Sequence, residues 1–225
     1  MDLVLSSGFL AFARQCGFLL AVEEAGIEVD GVVGTSSGAL AGSLWTAGLS
    51  AAELARELSS RRPLSLCSPH LALWRGLFTM DSVIEHISEL LPARFEDLPR
   101  PFGVGVMTAA GEHRLVTSGP LPRAVAASMA IPRLFAPVSL DGVPCADGAF
   151  VSRTAFEAWQ THRGAHKSLV HLVEATSGSD VEPDFGDSWV VRTPRSGAKL
   201  WSLGDFRAQL EEARDRTTSV IAAAT

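Results

Sequence analysis

Apolar and polar positions along the chain switch repeatedly between a short period and a helical one. Asp2–Leu5 is a brief apolar run, the mark of a strand covered on both faces, and Ser6-Ser7-Gly8 after it reads as a turn. From about Leu10 to Ala25 apolar residues recur at helical spacing, and Gly26 supplies a stop. Val29–Val33 is short and β-branched, a second strand. Strand, helix and strand in such a span make a βαβ unit, whose strands are parallel and whose crossover is right-handed. Gly34-Thr35-Ser36-Ser37-Gly38 then opens a helix of small residues that ends near Gly48. Ser50-Ala51-Ala52-Glu53 is a capping-box pattern that starts a further helix through about Ser60.

Arg61–Met80 is irregular, with prolines at Pro63 and Pro69. Helical periodicity returns over Asp81–Leu91, and Phe102–Thr108 and His113–Thr117 read as paired strands around Ala110-Gly111-Glu112. Pro120–Met129 is predicted as helix, broken at Ile131-Pro132. Val138–Cys145 carries an Asp141-Gly142 hairpin signal. Thr154–Arg163 is predicted helical, Ser168–Glu174 and Trp189–Thr193 as strands, and Asp205–Ala223 as a closing helix. The loop Ala175–Asp187 is polar, but no domain boundary, repeat or low-complexity tract appears. The expectation is one domain over residues 1–225, of α/β class, layered around a mostly parallel sheet.

Composition narrows the classes of function. The chain has 225 residues, 47% hydrophobic and 20% charged, which excludes disorder. Its 19 basic against 25 acidic residues give a net charge of −6, which argues against nucleic-acid binding by bulk charge. The three cysteines, Cys16, Cys67 and Cys145, are widely spaced and odd in number, so neither a disulfide framework nor a metal-binding pair can be drawn from them. Buried, inert thiols are the plain reading. Met1–Val22 is apolar, but Asp2 stands where a signal peptide is basic and Arg14 interrupts the run. Gly31–Ala52 lacks charge yet holds five glycines, which makes it a poor membrane span. A soluble, cytoplasmic protein is expected.

The chemistry concentrates at Gly34-Thr35-Ser36-Ser37-Gly38, which fits G-x-S-x-G between a strand and a helix. A serine on such a tight turn is held in a strained backbone conformation with its hydroxyl at a helix N-terminus, where the Ser37 N–H can face a developing oxyanion. A nucleophilic serine needs a base. The chain order Ser…Asp…His would use His162, His166 or His171, none of which has a local signature. Asp147, in Cys145-Ala146-Asp147-Gly148-Ala149, is the better partner, although an Asp-Gly pair taken alone is equally a turn.

Several blocks in order resemble the patatin-like phospholipases. They are Leu3-Val-Leu-Ser6, Ala21-Val-Glu-Glu-Ala-Gly-Ile27, Asp30 through Leu40, Ala127-Ser-Met-Ala-Ile-Pro132 with Phe135-Ala-Pro-Val138, and Asp141 through Ala149. The resemblance spans roughly residues 2–175. It implies a three-layer α/β/α fold and a Ser–Asp dyad without histidine, Ser36 the nucleophile and Asp147 the base. It places Gly34, Gly38, Gly148 and Ala149 as motif residues and the oxyanion-binding N–H groups at Gly8, Phe9 and Ser37. The implied substrates are lipid or other acyl esters, cleaved through an acyl-Ser36 intermediate with no metal or organic cofactor, with transient contact at a membrane surface.

The chain departs from the family in two places. Against the family's G-G-G-x-R-G loop it has Ser7-Gly8-Phe9-Leu10-Ala11-Phe12, losing glycines and placing Ala11 where the arginine stands. Phe9 in the glycine geometry is strained, so the loop is expected to take another path. A protein that binds lipid or a partner without efficient turnover is the alternative this loop raises. After Asp147-Gly148-Ala149 the family has a short segment ending in proline, whereas Phe150-Val-Ser-Arg-Thr-Ala-Phe156 has none. The apolar residues of Leu64–Phe78, among them Leu71, Leu73, Trp74 and Leu77, fall where the family places a cap over the acyl pocket.

Overall fold

In chain order the strands are β1 (Asp2–Leu5), β2 (Gly31–Thr35), β3 (Ser68–Pro69), β4 (Phe78–Thr79), β5 (Phe102–Thr108), β6 (His113–Val116), β7 (Val138–Leu140), β8 (Val143–Asp147), β9 (Ser168–Val173) and β10 (Trp189–Thr193). The helices are α1 (Phe12–Glu24), α2 (Ser37–Thr46), α3 (Ala51–Ser60), α4 (Asp81–Ser88), α5 (Leu121–Met129), α6 (Phe156–Arg163) and α7 (Phe206–Ala224). The computed structural model describes residues 1–60, 68–69, 76–164, 166–174 and 181–224. Cys67 and most of the apolar segment between Leu64 and Phe78 lie outside the described residues, while Cys16 and Cys145 are buried free thiols.

The sheet runs β10-β9-β1-β2-β5-β8-β7, parallel from β10 through β5 and antiparallel beyond. β6 pairs antiparallel with β5 as well. Because side chains alternate across a strand, each central strand feeds two cores. Leu3, Leu5, Val32, Leu169 and Val191 pack into one with Phe18, Leu19, Leu44 and Leu54 of the helices. Val4, Val33, Val170 and Leu172 pack into the other around Phe156 and Trp159 of α6. Helices on both faces of a mostly parallel sheet make the layered α/β arrangement that the strand–helix alternation predicts and the three layers that the resemblance implies.

Local signals explain most of the element ends. The capping box is reciprocal: the Ser50 N–H donates to Glu53 at 2.9 Å and the Glu53 N–H to the Ser50 hydroxyl at 3.3 Å. Asp141 and Gly142 sit at φ 53° and 80°, as a two-residue hairpin loop of the mirror-image type requires. Two helices begin later than their periodicity predicts. α1 starts at Phe12 because Leu10 turns left-handed at φ 50°, and α6 starts at Phe156 because Ala155 does so at φ 52°.

Two charged residues that look out of place in the sequence hold helices in position, one against the sheet and one against another helix. Asp2 is fully buried and accepts a hydrogen bond from Trp159 Nε1 at 2.8 Å, with Arg163 Nε at 3.4 Å. Arg14, also buried, donates to the Gln209 carbonyl and pairs with Glu212, docking α7 on α1. No helix among the described residues is long and apolar enough to cross a membrane.

The α1–α7 crossing closes on Gly17, where a Cβ would lie 2.1 Å from the Leu210 carbonyl oxygen. Alanine normally gains about 0.5–1 kcal/mol over glycine inside a helix, whereas a backbone overlap of this kind costs about 1–3 kcal/mol. Gly17→Ala is therefore expected to lower the urea midpoint. Gly197→Ala, at a position with nothing within 4 Å, should leave it within about 0.5 kcal/mol of wild type. A Gly17→Ala chain as stable as wild type would mean that α7 does not seat on α1 at this point.

Candidate active site

β2 ends at Thr35 and α2 begins at Ser37, so Ser36 alone makes the corner, at φ 54° and ψ −118°. For a residue with a side chain this backbone costs about 1–3 kcal/mol, and the surroundings must over-determine it. They do so from three directions. The Ser36 N–H donates to the Ser128 hydroxyl at 2.8 Å, and that hydroxyl donates to the Gly105 carbonyl at 2.7 Å, tying the corner to α5 and β5. The Ser36 carbonyl accepts the Leu40 N–H at 3.1 Å, the first bond of the helix. A Cβ on Gly38 would lie 2.2 Å from the Leu5 carbonyl oxygen, so only glycine lets the first turn of α2 rest on the end of β1.

Asp147 reaches the same corner along β5. β5 pairs with β2 up to Gly105↔Thr35, and its next residue, Val106, pairs with Asp147 of β8. β6 occupies the other edge over these positions, so β2 and β8 share one edge and meet there end to end. The Ser36 hydroxyl donates to Asp147 Oδ2 at 2.7 Å, and the Ala149 N–H donates to Oδ1 at 2.9 Å. Asp147 is 3% exposed. Burial pushes its pKa up from 3.8 to about 6, against the opposing pull of the Ala149 and Ser36 hydrogen bonds.

The loop after β1 turns at Leu10. Phe9 is not left-handed; Leu10 carries the positive φ instead, and the Ala11 N–H closes the turn on the Gly8 carbonyl at 3.2 Å. Among the described residues the N–H groups of Gly8, Phe9 and Ser37 have no hydrogen-bond partner. Gly8, Phe9, Ser36 and Ser37 line one cavity of about 120 Å³, whose walls include Leu40, Leu44, Val83, Ile87, Met129 and Leu134. One polar pair faces it, Glu57 with His86 at 3.0 Å. A smaller recess beside it is lined by Ser36, Asp147, Phe150 and Arg153.

The family model described as patatin-like phospholipase matches residues 3–158, from β1 into α6 and across both sides of this corner. The chain belongs to the patatin-like phospholipase family. It is 29% identical over 218 residues to an uncharacterized NTE family protein of Mycobacterium bovis, covering 93% of this chain and 59% of that one. The chain thus spans about three fifths of that relative's length. Neuropathy target esterase sws of Drosophila melanogaster is 29% identical over 93% of this chain and 16% of its own. Among solved structures, VipD from Legionella pneumophila superposes with a TM-score of 0.63 at 13% identity, over 99% of this chain and 66% of that one. The type III effector protein ExoU does so with 0.53 at 16%, over 99% and 53%. At these identities the two structures speak for a shared patatin-like fold.

Of the patatin-like motif residues, Gly34 and Gly148 also stand at backbone contacts. A Cβ on either would come within 2.4 Å of the Gly38 carbonyl oxygen or 2.5 Å of the Gly105 carbonyl oxygen, respectively. None of the three late histidines lines the cavity at Ser36. His171 is buried between Gln15 at 2.7 Å and Thr193 at 2.9 Å, stacked on Phe18, with burial pushing its pKa down to about 3. His166 contacts the Arg163 carbonyl, and His162 lies beside Trp159. Sequence reasoning gave no role to Ser128, Glu57 or His86. The available signal was Ser128 itself, a hydroxyl inside a helix of otherwise small and apolar buried residues. Among the described residues no three His, Cys, Asp or Glu side chains group closely enough to hold a metal ion.

The raised pKa of Asp147 carries a stability cost with a definite sign. Between its ordinary value of 3.8 and about 6 the folded chain holds a proton that the unfolded chain has released. Stability contributed by this group is therefore full at low pH and lost as pH rises through about 6, by on the order of 3 kcal/mol. Asp147→Asn removes the buried charge while keeping the shape, so thermal unfolding should show the variant more stable than wild type at pH 8, the gap closing towards pH 4. A pH-independent difference would exclude a buried, titrating carboxylate here.

Proposed function

We propose that the chain is a serine acyl hydrolase of lipid carboxylic esters, with Ser36 as nucleophile and Asp147 as base. The observation that carries this reading is the 2.7 Å hydrogen bond from the Ser36 hydroxyl, at the wall of an apolar cavity, to the buried carboxylate of Asp147 in the recess beside it. Ser36 Oγ attacks the ester carbonyl carbon while its proton passes to Asp147. The carbonyl oxygen becomes an oxyanion facing the N–H groups of Gly8, Phe9 and Ser37. The C–O bond to the alcohol breaks, and the alcohol departs with the proton from Asp147. Water then attacks acyl-Ser36, giving its proton to Asp147, and the carboxylic acid leaves as the serine recovers a proton. A base with a pKa of about 6 suits this cycle, because it is ionised near neutrality yet basic enough to accept a proton.

The family supports a lipid or other acyl-ester substrate, and the name of the Drosophila relative, an esterase, points the same way. The cavity is comparable in volume to an engineered core cavity that admits benzene, so a short acyl group fits it. Brief contact with a lipid surface belongs to this reading. Phe150 beside Ser36 is 40% exposed, and Trp201, next to Leu200 of the cavity wall, is 63% exposed. The net charge of −6 leaves such contact to apolar side chains rather than to attraction by anionic lipid. Binding without turnover is the reading favoured by the altered loop Ser7–Phe12, but that loop still brings Gly8 and Phe9 to the cavity of Ser36.

Fluorophosphonate labelling together with p-nitrophenyl butyrate turnover tests the assignment. Wild type should label and Ser36→Ala should not; equal labelling of the two would remove the nucleophile. Asp147→Asn should lower kcat by about 10²–10⁴-fold. The pH profile of kcat/KM should rise through about pH 6, as Asp147 loses its proton, and then level off. A profile flat between pH 5 and pH 8 would be incompatible with Asp147 as the base.

A further inference from the structure

We infer that Arg153 is the positioning residue of the oxyanion loop, supplying from the far side of the site the guanidinium that position 11 lacks. The inference rests on the hydrolase reading above. Arg153 bonds to both backbone groups of Ser7, the residue before Gly8 and Phe9, whose carbonyl also accepts from the Ser6 hydroxyl at 3.2 Å. The Ser7 N–H donates to the Arg153 carbonyl at 2.8 Å, and Arg153 Nη2 donates to the Ser7 carbonyl at 3.3 Å. The same Nη2 donates to the Val173 carbonyl at the end of β9. Arg153 is 7% exposed, so these bonds are made with little competition from water.

The neighbouring residue already has other anchors. Ser6 is fixed by Gln15 Nε2 on its carbonyl at 2.8 Å, by its own N–H on the His171 carbonyl at 3.0 Å, and by the Val173 N–H on its hydroxyl at 2.9 Å. Beyond Ser6 the loop enters the cavity wall, and there the Arg153 guanidinium clips the Ser7 carbonyl to β9 alongside the Ser6 hydroxyl, which links the same carbonyl to the Val173 N–H. Position 11 offers no alternative. Ala11 is fully buried, its Cβ 2.8 Å from where a Gly8 side chain would begin, which leaves no volume for an arginine.

The clip also couples the loop to the base. Asp147 and Arg153 belong to one tight segment, in which Gly148–Phe150 forms a single 3₁₀ turn and the N–H groups of Val151 and Ser152 both return to the Gly148 carbonyl, at 3.0 and 2.9 Å. Arg153 lines the recess that Ser36 and Asp147 also line. The altered segment 150–156 thereby reaches the altered loop: its Arg153 bonds to Ser7, in the loop where the family's arginine is missing at position 11. Donors fixed in advance contribute more to stabilising an oxyanion than donors that must be ordered at each turnover.

The test compares matched oxygen and thiono esters of butyrate in wild type, Arg153→Met and Arg153→Lys, with rates expressed per active site titrated by a fluorophosphonate. Thiocarbonyl sulfur accepts hydrogen bonds poorly, so the oxygen-to-thiono ratio of kcat/KM reads the contribution of the loop N–H groups, and misfolded protein does not alter it. Arg153→Met should lose about 10²-fold in kcat on the oxygen ester, with KM little changed and the ratio falling towards that of the uncatalysed reaction. Arg153→Lys, which keeps a charge and a donor, should recover part of both. An unchanged ratio in Arg153→Met, whatever its absolute rate, would overturn the assignment. Amide exchange in the peptide spanning residues 7–11 needs no turnover and should be faster in both variants than in wild type. Unchanged exchange would overturn the clip even in a chain that proves inactive. Absence of Ser36-dependent turnover in wild type would instead count against the hydrolase reading alone.

Discussion

Along one edge of β5 two strands arrive from opposite directions and stop at adjacent residues. β2 runs parallel to β5 as far as Thr35, opposite Gly105, and β8 runs antiparallel as far as Asp147, opposite Val106. Both chains must then leave the sheet at the same place, and the residues at which they leave are Ser36 and Asp147. The junction admits almost no side-chain volume. A Cβ on Gly105 would come 2.7 Å from Thr35 Oγ1, and one on Gly148 would come 2.5 Å from the Gly105 carbonyl oxygen. Ser128 then stitches the junction from above, accepting from the Ser36 N–H and donating to the Gly105 carbonyl. The 2.7 Å contact between hydroxyl and carboxylate follows from this register rather than from any affinity between the two side chains.

The junction is also where the fold concentrates its unfavourable energy. Ser36 holds a left-handed φ, and Asp147 is a buried acid that ionises near neutrality against the cost of desolvation. Neither feature stabilises the fold. What keeps them in place is the packing on both faces of the sheet, where Leu3, Leu5, Val4 and Val33 of the two innermost strands are fully buried. A site built on strained backbone and a destabilised carboxylate needs rigid elements behind it, and here those elements are the central strands themselves.

Much of this fold is legible in the sequence because its devices are local. Helical and strand periods, the Ser50–Glu53 box and the Asp141-Gly142 turn each act over a few residues, and each appears in the structure close to where it is read. The boundaries that move do so at Leu10 and Ala155, where the left-handed turn is made by a residue with a side chain, so the usual glycine marker is missing. The elbow at Ser36 and the Asp-Gly at Asp147 are visible for the same local reason, although pairing them took the resemblance to a family. The roles of Ser128 and Arg153 are not legible, because Ser36 and Ser7 lie 92 and 146 residues from them and their hydrogen bonds go to backbone groups that carry no sequence signature.

The loop between β1 and α1 carries the last step of the argument. Three glycines in a row can adopt any path that brings N–H groups to an oxyanion, but each also has the most conformational freedom to lose on folding. Ser7 and Phe9, standing at glycine positions of that run, restrict the unfolded chain, so ordering them costs less entropy, at the expense of one left-handed residue at Leu10. What such a loop lacks is freedom to settle by itself into the required path, and polar contacts from outside must impose it. Gln15 and His171 impose it at Ser6, and Arg153 imposes it at Ser7. Fixed N–H donors at Gly8 and Phe9 are thus reachable from two opposite compositions, one permissive and self-adjusting, the other restricted and held in place by distant side chains.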